Sequence, residues 1–227
     1  MSISTMKPLI LHAHGTSPNP YKIAIVLSAL NLPYTIKTWE SDDVPNGVDG
    51  PDYLDKTEND RLRSFEDPNT GVVSCESGAV IHHLLRVYDN SNRLGPRGQN
   101  PGSEPSQQDH VDFNDWEFFL VSTLGPMMGQ VIWYRDSNST KNEDAVSSYE
   151  AQTYGAFNAL EGQLGKSGGE SVLPGGFSAV DAHFYPWLNQ YSHAQLKLDS
   201  YPKIQRWMEV IGKMPAVTEA YERLDKA

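Results

Sequence analysis

Ser74-Cys75-Glu76-Ser77-Gly78-Ala79-Val80 sets an acid and a hydroxyl at the head of an apolar run. That run continues through Ile81, Leu84, Leu85 and Val87 at helical spacing, so a helix is expected to start here. A helix N-terminus presents unpaired backbone N–H groups and the positive end of a dipole, which suits a carboxylate. Ser77 adds a hydroxyl donor and Glu76 an acceptor for an ammonium group. Two readings fit these residues: an ordinary helix cap, the commoner use of such residues, and a receptor for an amino-acid head group.

What lies upstream gives the helix its place. Arg63-Ser64-Phe65-Glu66 and Gly71-Val72-Val73-Ser74 flank Asp67-Pro68-Asn69-Thr70, a turn signal, and read as a β-hairpin. Further back, Pro8 to His14 reads as a strand. Gly15-Thr16-Ser17-Pro18-Asn19-Pro20 follows as a turn, with Asn19 as the expected N-cap and Pro20 at the first helical position. Ile23, Val26, Leu27 and Leu30 share one helical face, and Asn31-Leu32-Pro33 ends that helix. Tyr34 to Trp39 is a second strand, parallel to the first across a βαβ crossover. A short helix is expected near Pro51-Asp52-Tyr53-Leu54. The order β-α-β then β-β-α is that of a thioredoxin-like domain, here without the Cys-x-x-Cys of dithiol redox chemistry.

Leu94 to Pro105 reads as a linker rich in glycine and proline. Beyond it the chain is helical almost throughout. Phe113, Trp116, Phe119 and Leu120 share a face, Gly125-Pro126 interrupts or kinks that helix, and Met127 to Tyr134 resumes it. Ala145 to Leu164 forms another helix, Ser178-Ala179-Val180-Asp181 opens a third with a capping box, and Tyr201-Pro202 opens the last, with Ile204, Trp207, Met208 and Ile211. The expected organisation is therefore α+β: residues 1–93 thioredoxin-like, 94–105 a linker, and 106–227 an all-α bundle.

Composition narrows the function. The 227 residues carry a net charge of −11, and no Lys/Arg cluster is large enough for nucleic acid. No apolar run is long enough for a membrane helix, and the N-terminus lacks a signal-peptide core. The single cysteine, Cys75, fits a reducing compartment, so a cytoplasmic location is expected. His12 and His14 share a strand face, but with no third ligand at a supporting spacing no metal site is expected.

Taken together, a thioredoxin-like half, a linker and an all-helical half resemble the cytosolic glutathione transferases along nearly the whole chain. Glu76-Ser77 looks like the family's pair for the γ-glutamyl end of glutathione, and Ser178-x-x-Asp181 like its second-domain capping signature. Ser17-Pro18-Asn19-Pro20-Tyr21-Lys22, Phe118-Phe119 and Pro126-Met127-Met128-Gly129-Gln130 resemble the fungal branch of nitrogen-regulatory prion-type members. The resemblance implies glutathione as cosubstrate or cofactor, no metal, a homodimer, and a hydrophobic electrophile as second substrate. It implies that Asn19, with Ser17 second, stabilises the glutathione thiolate, because a free thiol of pKa about 8.5 is mostly protonated at neutral pH. Arg61 and Leu62 join Glu76 and Ser77 as expected glutathione-binding residues. Trp116, Phe119, Leu120, Met127 and Tyr134 are the expected substrate pocket, though residues at helical spacing are more often plain core.

One stretch departs from the family. Relatives carry Asn-Pro-x-Gly-x-Val-Pro before the hairpin, with a cis second proline. Here Thr57 to Arg63 stands in its place and Arg63 replaces the proline. A cis bond costs about 0.5–1 kcal/mol before proline but roughly 3–4 before another residue. Either the Leu62–Arg63 bond is trans with a rearranged loop, or its surroundings hold it cis. The departure fits a specialised member, for example in fungal secondary metabolism, that conjugates its substrate or isomerises a double bond by addition, rotation and elimination. The alternatives are a non-catalytic regulatory or binding protein, and a glutathione-dependent peroxidase or disulfide reductase.

Overall fold

A computed structural model describes residues 6–14, 17–39, 64–98 and 103–227. They form two compact units: one from residues 1–93 together with Met214–Ala227, the other from Leu94–Lys213.

In the first unit β1 (Leu9–His14) leads into α1 (Pro18–Ala29) and β2 (Tyr34–Trp39), followed by β3 (Phe65–Asp67), β4 (Val72–Ser74) and α2 (Ser77–Tyr88). The strands lie in the order β2-β1-β3-β4. β1 runs parallel to β2, with Leu9 opposite Tyr34, and antiparallel to β3, with Leu11 opposite Phe65. β4 is antiparallel to β3, so it runs in the direction of β1. The crossover helix α1 is apolar nearly all round: Ile23, Ala24, Ile25, Val26 and Leu27 are all fully buried, as befits a helix covered on more than one side. Asn31, at φ 56°, takes the left-handed turn that ends it.

A helix beyond Lys213 is the main departure from the sequence reading, which ended at the helix opened by Tyr201-Pro202. α8 (Pro215–Leu224) starts with proline in its first turn, buries Val217 and Ala220 and packs on α1. The last fourteen residues thus belong to the first unit rather than to the helical one.

In the second unit α3 (Gln107–Phe119) continues through a π-helical segment, Leu120–Leu124, into α4 (Gly125–Ile132) and a second π segment, Trp133–Ser137. The kink expected at Gly125-Pro126 takes the form of this change in hydrogen-bond register. The Gly125 N–H donates to Leu120 O, five residues back; proline brings no N–H to the ladder, and a π turn absorbs the loss. α5 (Glu143–Ser167), α6 (Ala179–Leu188) and α7 (Pro202–Gly212) complete the unit.

The expected capping box at α6 is present and fully buried. Asp181 accepts from the Ser178 backbone at 2.9 Å, Ser178 Oγ at 3.1 Å, the Val172 backbone at 2.8 Å and Trp207 Nε1 at 2.9 Å. Burial raises its pKa, and the bonds from Trp207, Val172 and Ser178 work against that rise. The start of the expected linker is folded onto this unit: Leu94 is buried, its carbonyl accepts from the Ala179 N–H at 2.9 Å, and Arg97 donates to the carbonyls of Gly175 and Phe177, both at 2.6 Å.

Candidate functional site

Because β1 and β4 point the same way, the helices that follow them, α1 and α2, both begin at one edge of the sheet. That edge carries Ser17 and Asn19 at the head of α1, and Glu76 and Ser77 at the head of α2. The two helices also pack against each other.

The cap of α1 is not the one expected. Ser17 is the N-cap, its Oγ accepting from the Asn19 N–H at 3.4 Å, and Pro18 opens the helix. Asn19 sits inside the first turn, half-buried. Its side chain is therefore not the cap expected from the sequence. Lys22, one turn further and not singled out from sequence, is buried at 2% exposure.

At α2 the N-cap is Glu76, yet its side chain makes no capping hydrogen bond to the helix. Ser77 is the first helical residue and is buried. Glu76 thus holds the cap position without capping through its side chain, and Ser77 is the first residue inside the helix. The junction is held from below: the Ser64 N–H donates to Ser74 O at 2.9 Å and Ser64 Oγ to Cys75 O at 2.6 Å. Arg61, Leu62 and the Leu62–Arg63 bond lie outside the described residues, as does the short helix expected near Pro51.

The histidines of β1 have separate surroundings. Trp39 Nε1 donates to His12 Nδ1 at 2.9 Å, and His12 Nε2 lies 3.0 Å from Glu66 Oε1. An indole N–H only donates, so Nδ1 accepts and the ring proton sits on Nε2, facing Glu66. Both nitrogens of this buried ring are engaged. Burial lowers the pKa of His14, nearer the sheet edge. Among the described residues no group of three or more His, Cys, Asp or Glu side chains is arranged to hold a metal ion, and no helix is long and apolar enough to cross a membrane.

The expected substrate-pocket residues, all in the second unit, fall into two clusters. Trp116 meets Phe119 edge-on at 5.4 Å and Phe184 of α6 at 5.9 Å. Tyr134 meets Trp133 at 4.7 Å and stacks on Tyr149 at 5.8 Å. Tyr134 lies eighteen positions of helix beyond Trp116, about 27 Å at the helical rise, so one compact pocket does not hold both. Leu120 is fully buried core, while Met127 is half-buried on α4. Periodicity placed these residues on the helix but could not divide wall from core.

Two features escaped the sequence reading. Trp187 lies across Gly125 and Gly129, where an added Cβ would come within 3.2 and 3.6 Å of its ring; the Gly-x-x-x-Gly spacing was the available signal. Glu117 and His183 face each other inside the unit, Oε1 to Nδ1 at 3.8 Å, both buried. A small cleft opens beside Arg97, Asp109 and Ser178.

A sheet unit of thioredoxin-like order followed in the chain by an all-helical unit is the architecture of the glutathione transferase fold. Residues 143–209 match the family described as glutathione S-transferase, C-terminal domain. The chain is 28% identical over 225 residues to the glutathione S-transferase-like protein tpcF of Aspergillus fumigatus, spanning 93% of this chain and 94% of that one. It is 29% identical over 223 residues to the glutathione S-transferase-like protein gedE of Aspergillus terreus, spanning 97% and 86%. Among solved structures, the glutathione transferase URE2P8 of Phanerochaete chrysosporium with oxidized glutathione shares the fold at a TM-score of 0.83 and 24% identity, over 98% of this chain and 97% of that one. The chain is thus similar over nearly its whole length to these fungal glutathione-transferase-like proteins, and its residues 143–209 match the C-terminal domain family.

Proposed function

We propose that this protein binds glutathione at the α1/α2 sheet edge and activates its thiol for attack on a hydrophobic, unsaturated small molecule. The observation that carries the reading is the opening of two helix N-termini, with Asn19 and Glu76-Ser77, at one edge of one sheet. Such an edge suits an anionic ligand in a chain whose net charge of −11 would otherwise repel it.

In this reading Ser77 and the N–H groups of α2 receive the γ-glutamyl carboxylate, and Glu76 its ammonium group. Asn19 donates its side-chain N–H to the sulfur. Together with the dipole of α1, that donor favours thiolate over thiol. The thiolate adds to a conjugated double bond: a C–S bond forms and the electron pair moves onto the conjugated acceptor. Protonation gives a conjugate. Rotation about the now-single bond, followed by loss of the thiolate, gives an isomer and returns glutathione. Trp116, Phe119 and Met127 supply apolar surface for the electrophile. A tailoring step in secondary metabolism, a cytoplasmic setting and a homodimer complete the proposal. The dimer is supported by Val111 and Phe118, seven residues apart on α3 and 49% and 66% exposed.

Incubation with glutathione and a panel of conjugated enones tests the reading. Stoichiometric loss of thiol means conjugation, and an isomer without thiol loss means isomerisation. Glutathione binding with neither product, and with no turnover of a hydroperoxide or mixed disulfide, selects a non-catalytic binding protein instead.

A further inference from the structure

At the opposite edge of the same sheet, one buried carboxylate gathers the ends of three elements. Asp67, the last residue of β3, is 1% exposed. Its Oδ1 accepts from the Asn69 N–H at 2.8 Å, the Thr70 N–H at 3.3 Å and Asn69 Nδ2 at 3.2 Å. Its Oδ2 accepts from Thr70 Oγ1 at 2.8 Å and Tyr88 OH at 2.7 Å, and pairs with His83 Nε2 at 2.8 Å. Oδ1 shapes the β3–β4 turn; Oδ2 also holds Thr70 in the turn and grips α2 at its middle and at its last residue. Asn69 extends the hold to the chain before β1, exchanging two 2.9 Å bonds with the Lys7 backbone.

The geometry is that of a lever. β4 and α2 are joined only by Cys75 and Glu76. The hairpin turn and the C-terminal end of α2 are both fastened to Asp67, and helix and strand are stiff over this length. Once their far ends are fixed relative to each other, the place where they meet is fixed as well. That meeting place is Glu76-Ser77, about 16 Å along α2 from Tyr88. A tight turn alone needs the Asx bonds to Asn69 and Thr70. It does not need His83 and Tyr88, which lie 16 and 21 residues away.

We propose that Asp67 is a positioning residue for the Glu76-Ser77 end of the glutathione site, acting through β4 and α2 without touching the ligand. This inference rests on the glutathione reading above. Tyr88→Phe removes one bond to α2 and leaves the turn bonds intact, while Asp67→Asn removes the negative charge and puts a donating NH2 in place of one accepting oxygen. Each variant is compared with wild type by calorimetric titration with glutathione and by hydrogen exchange of residues 74–80 without ligand, at a temperature where circular dichroism shows it folded.

The expected result for Asp67→Asn is an affinity about tenfold weaker, the size of effect set by one displaced charge-assisted bond, with faster exchange at 74–80. Tyr88→Phe should move both readings in the same direction by less. A purely structural role predicts a lower melting temperature with unchanged affinity in the folded fraction and unchanged exchange at 74–80, and that result overturns the proposal. If Asp67→Asn does not fold, Tyr88→Phe decides on the same two readings. If wild type itself binds no glutathione, the reading of the site fails. The exchange measurement then still shows whether Asp67 sets the β4–α2 junction.

Discussion

The Tyr21 hydroxyl, in the first turns of α1, donates to Asp225 Oδ1 at 2.8 Å and ties the start of the first helix to the end of the chain. The ring of Tyr21 also meets that of Tyr221 at 4.5 Å. Burial and the Asp225 carboxylate together push the Tyr21 pKa up to about 12. Close by, Arg223 lies 3.6 Å over the ring of Tyr34 and donates to its carbonyl at 2.6 Å. The helix that carries Asn19 is thus clasped by the last helix in the sequence.

Loss of that clasp should weaken the sheet unit. Arg223→Ala removes a cation–π contact and a charge-assisted hydrogen bond, for an expected loss of about 1–2 kcal/mol in stability. Deletion of residues 214–227 uncovers the outer face of α1 and should abolish cooperative melting of the first unit. Chemical denaturation followed by circular dichroism reads the point variant. Unchanged stability in both would show that α8 is not part of the unit.

Asp67 gives the protein a specific sensitivity to acid. Burial alone would raise its pKa, but the bonds from His83, Tyr88, Thr70 and Asn69 outweigh burial and hold it at about 2, below its ordinary 3.8. A carboxylate whose pKa is depressed on folding contributes stability above its unfolded pKa. That contribution is lost as pH falls through the folded value. Between pH 4 and pH 2 wild type should therefore lose about 2 kcal/mol that Asp67→Asn has already lost. Denaturant titrations across this range should give a steeper pH slope for wild type than for the variant.

Ser17 and Asn19 should separate cleanly. Ser17 is the cap of α1, so Ser17→Ala should cost about 1 kcal/mol of stability. Asn19 caps nothing, so Asn19→Ala should leave the melting temperature nearly unchanged. It should lower kcat, and raise the pH at which glutathione thiolate forms on the enzyme, read as absorbance near the thiolate band. A loss of affinity at unchanged kcat would contradict the role given to Asn19.

Phe118 is 66% exposed on α3 with Val111 and Val121 also open to solvent. If this stripe joins two copies, Phe118→Asp should convert a dimer to a monomer in light scattering without lowering the helix content. A wild-type monomer at micromolar concentration would contradict the dimer.

Much of the fold could be read from local pattern. The parallel β1–β2 pair, the hairpin around Asp67-Pro68-Asn69-Thr70 and the Ser178/Asp181 box each announce themselves within a few residues. The cap of α1 was ambiguous because Ser17 and Asn19 are each followed by proline, and the helix took the earlier. α8 was missed because its buried face consists of two small residues, Val217 and Ala220, among charges. At Asp67 the local residues spell only a turn, because His83 and Tyr88 come to it through folding. The candidate site was legible as two motifs, Ser17 to Asn19 and Glu76-Ser77. Their arrival at one sheet edge follows from strand directions that no single motif contains.

The most direct test is calorimetric titration of the wild-type protein with glutathione, beside Ser77→Ala and Glu76→Gln. The account predicts one saturable site in wild type, with both variants binding more weakly through loss of head-group contacts. No heat of binding at millimolar glutathione in wild type, or wild-type affinity in both variants, would contradict it.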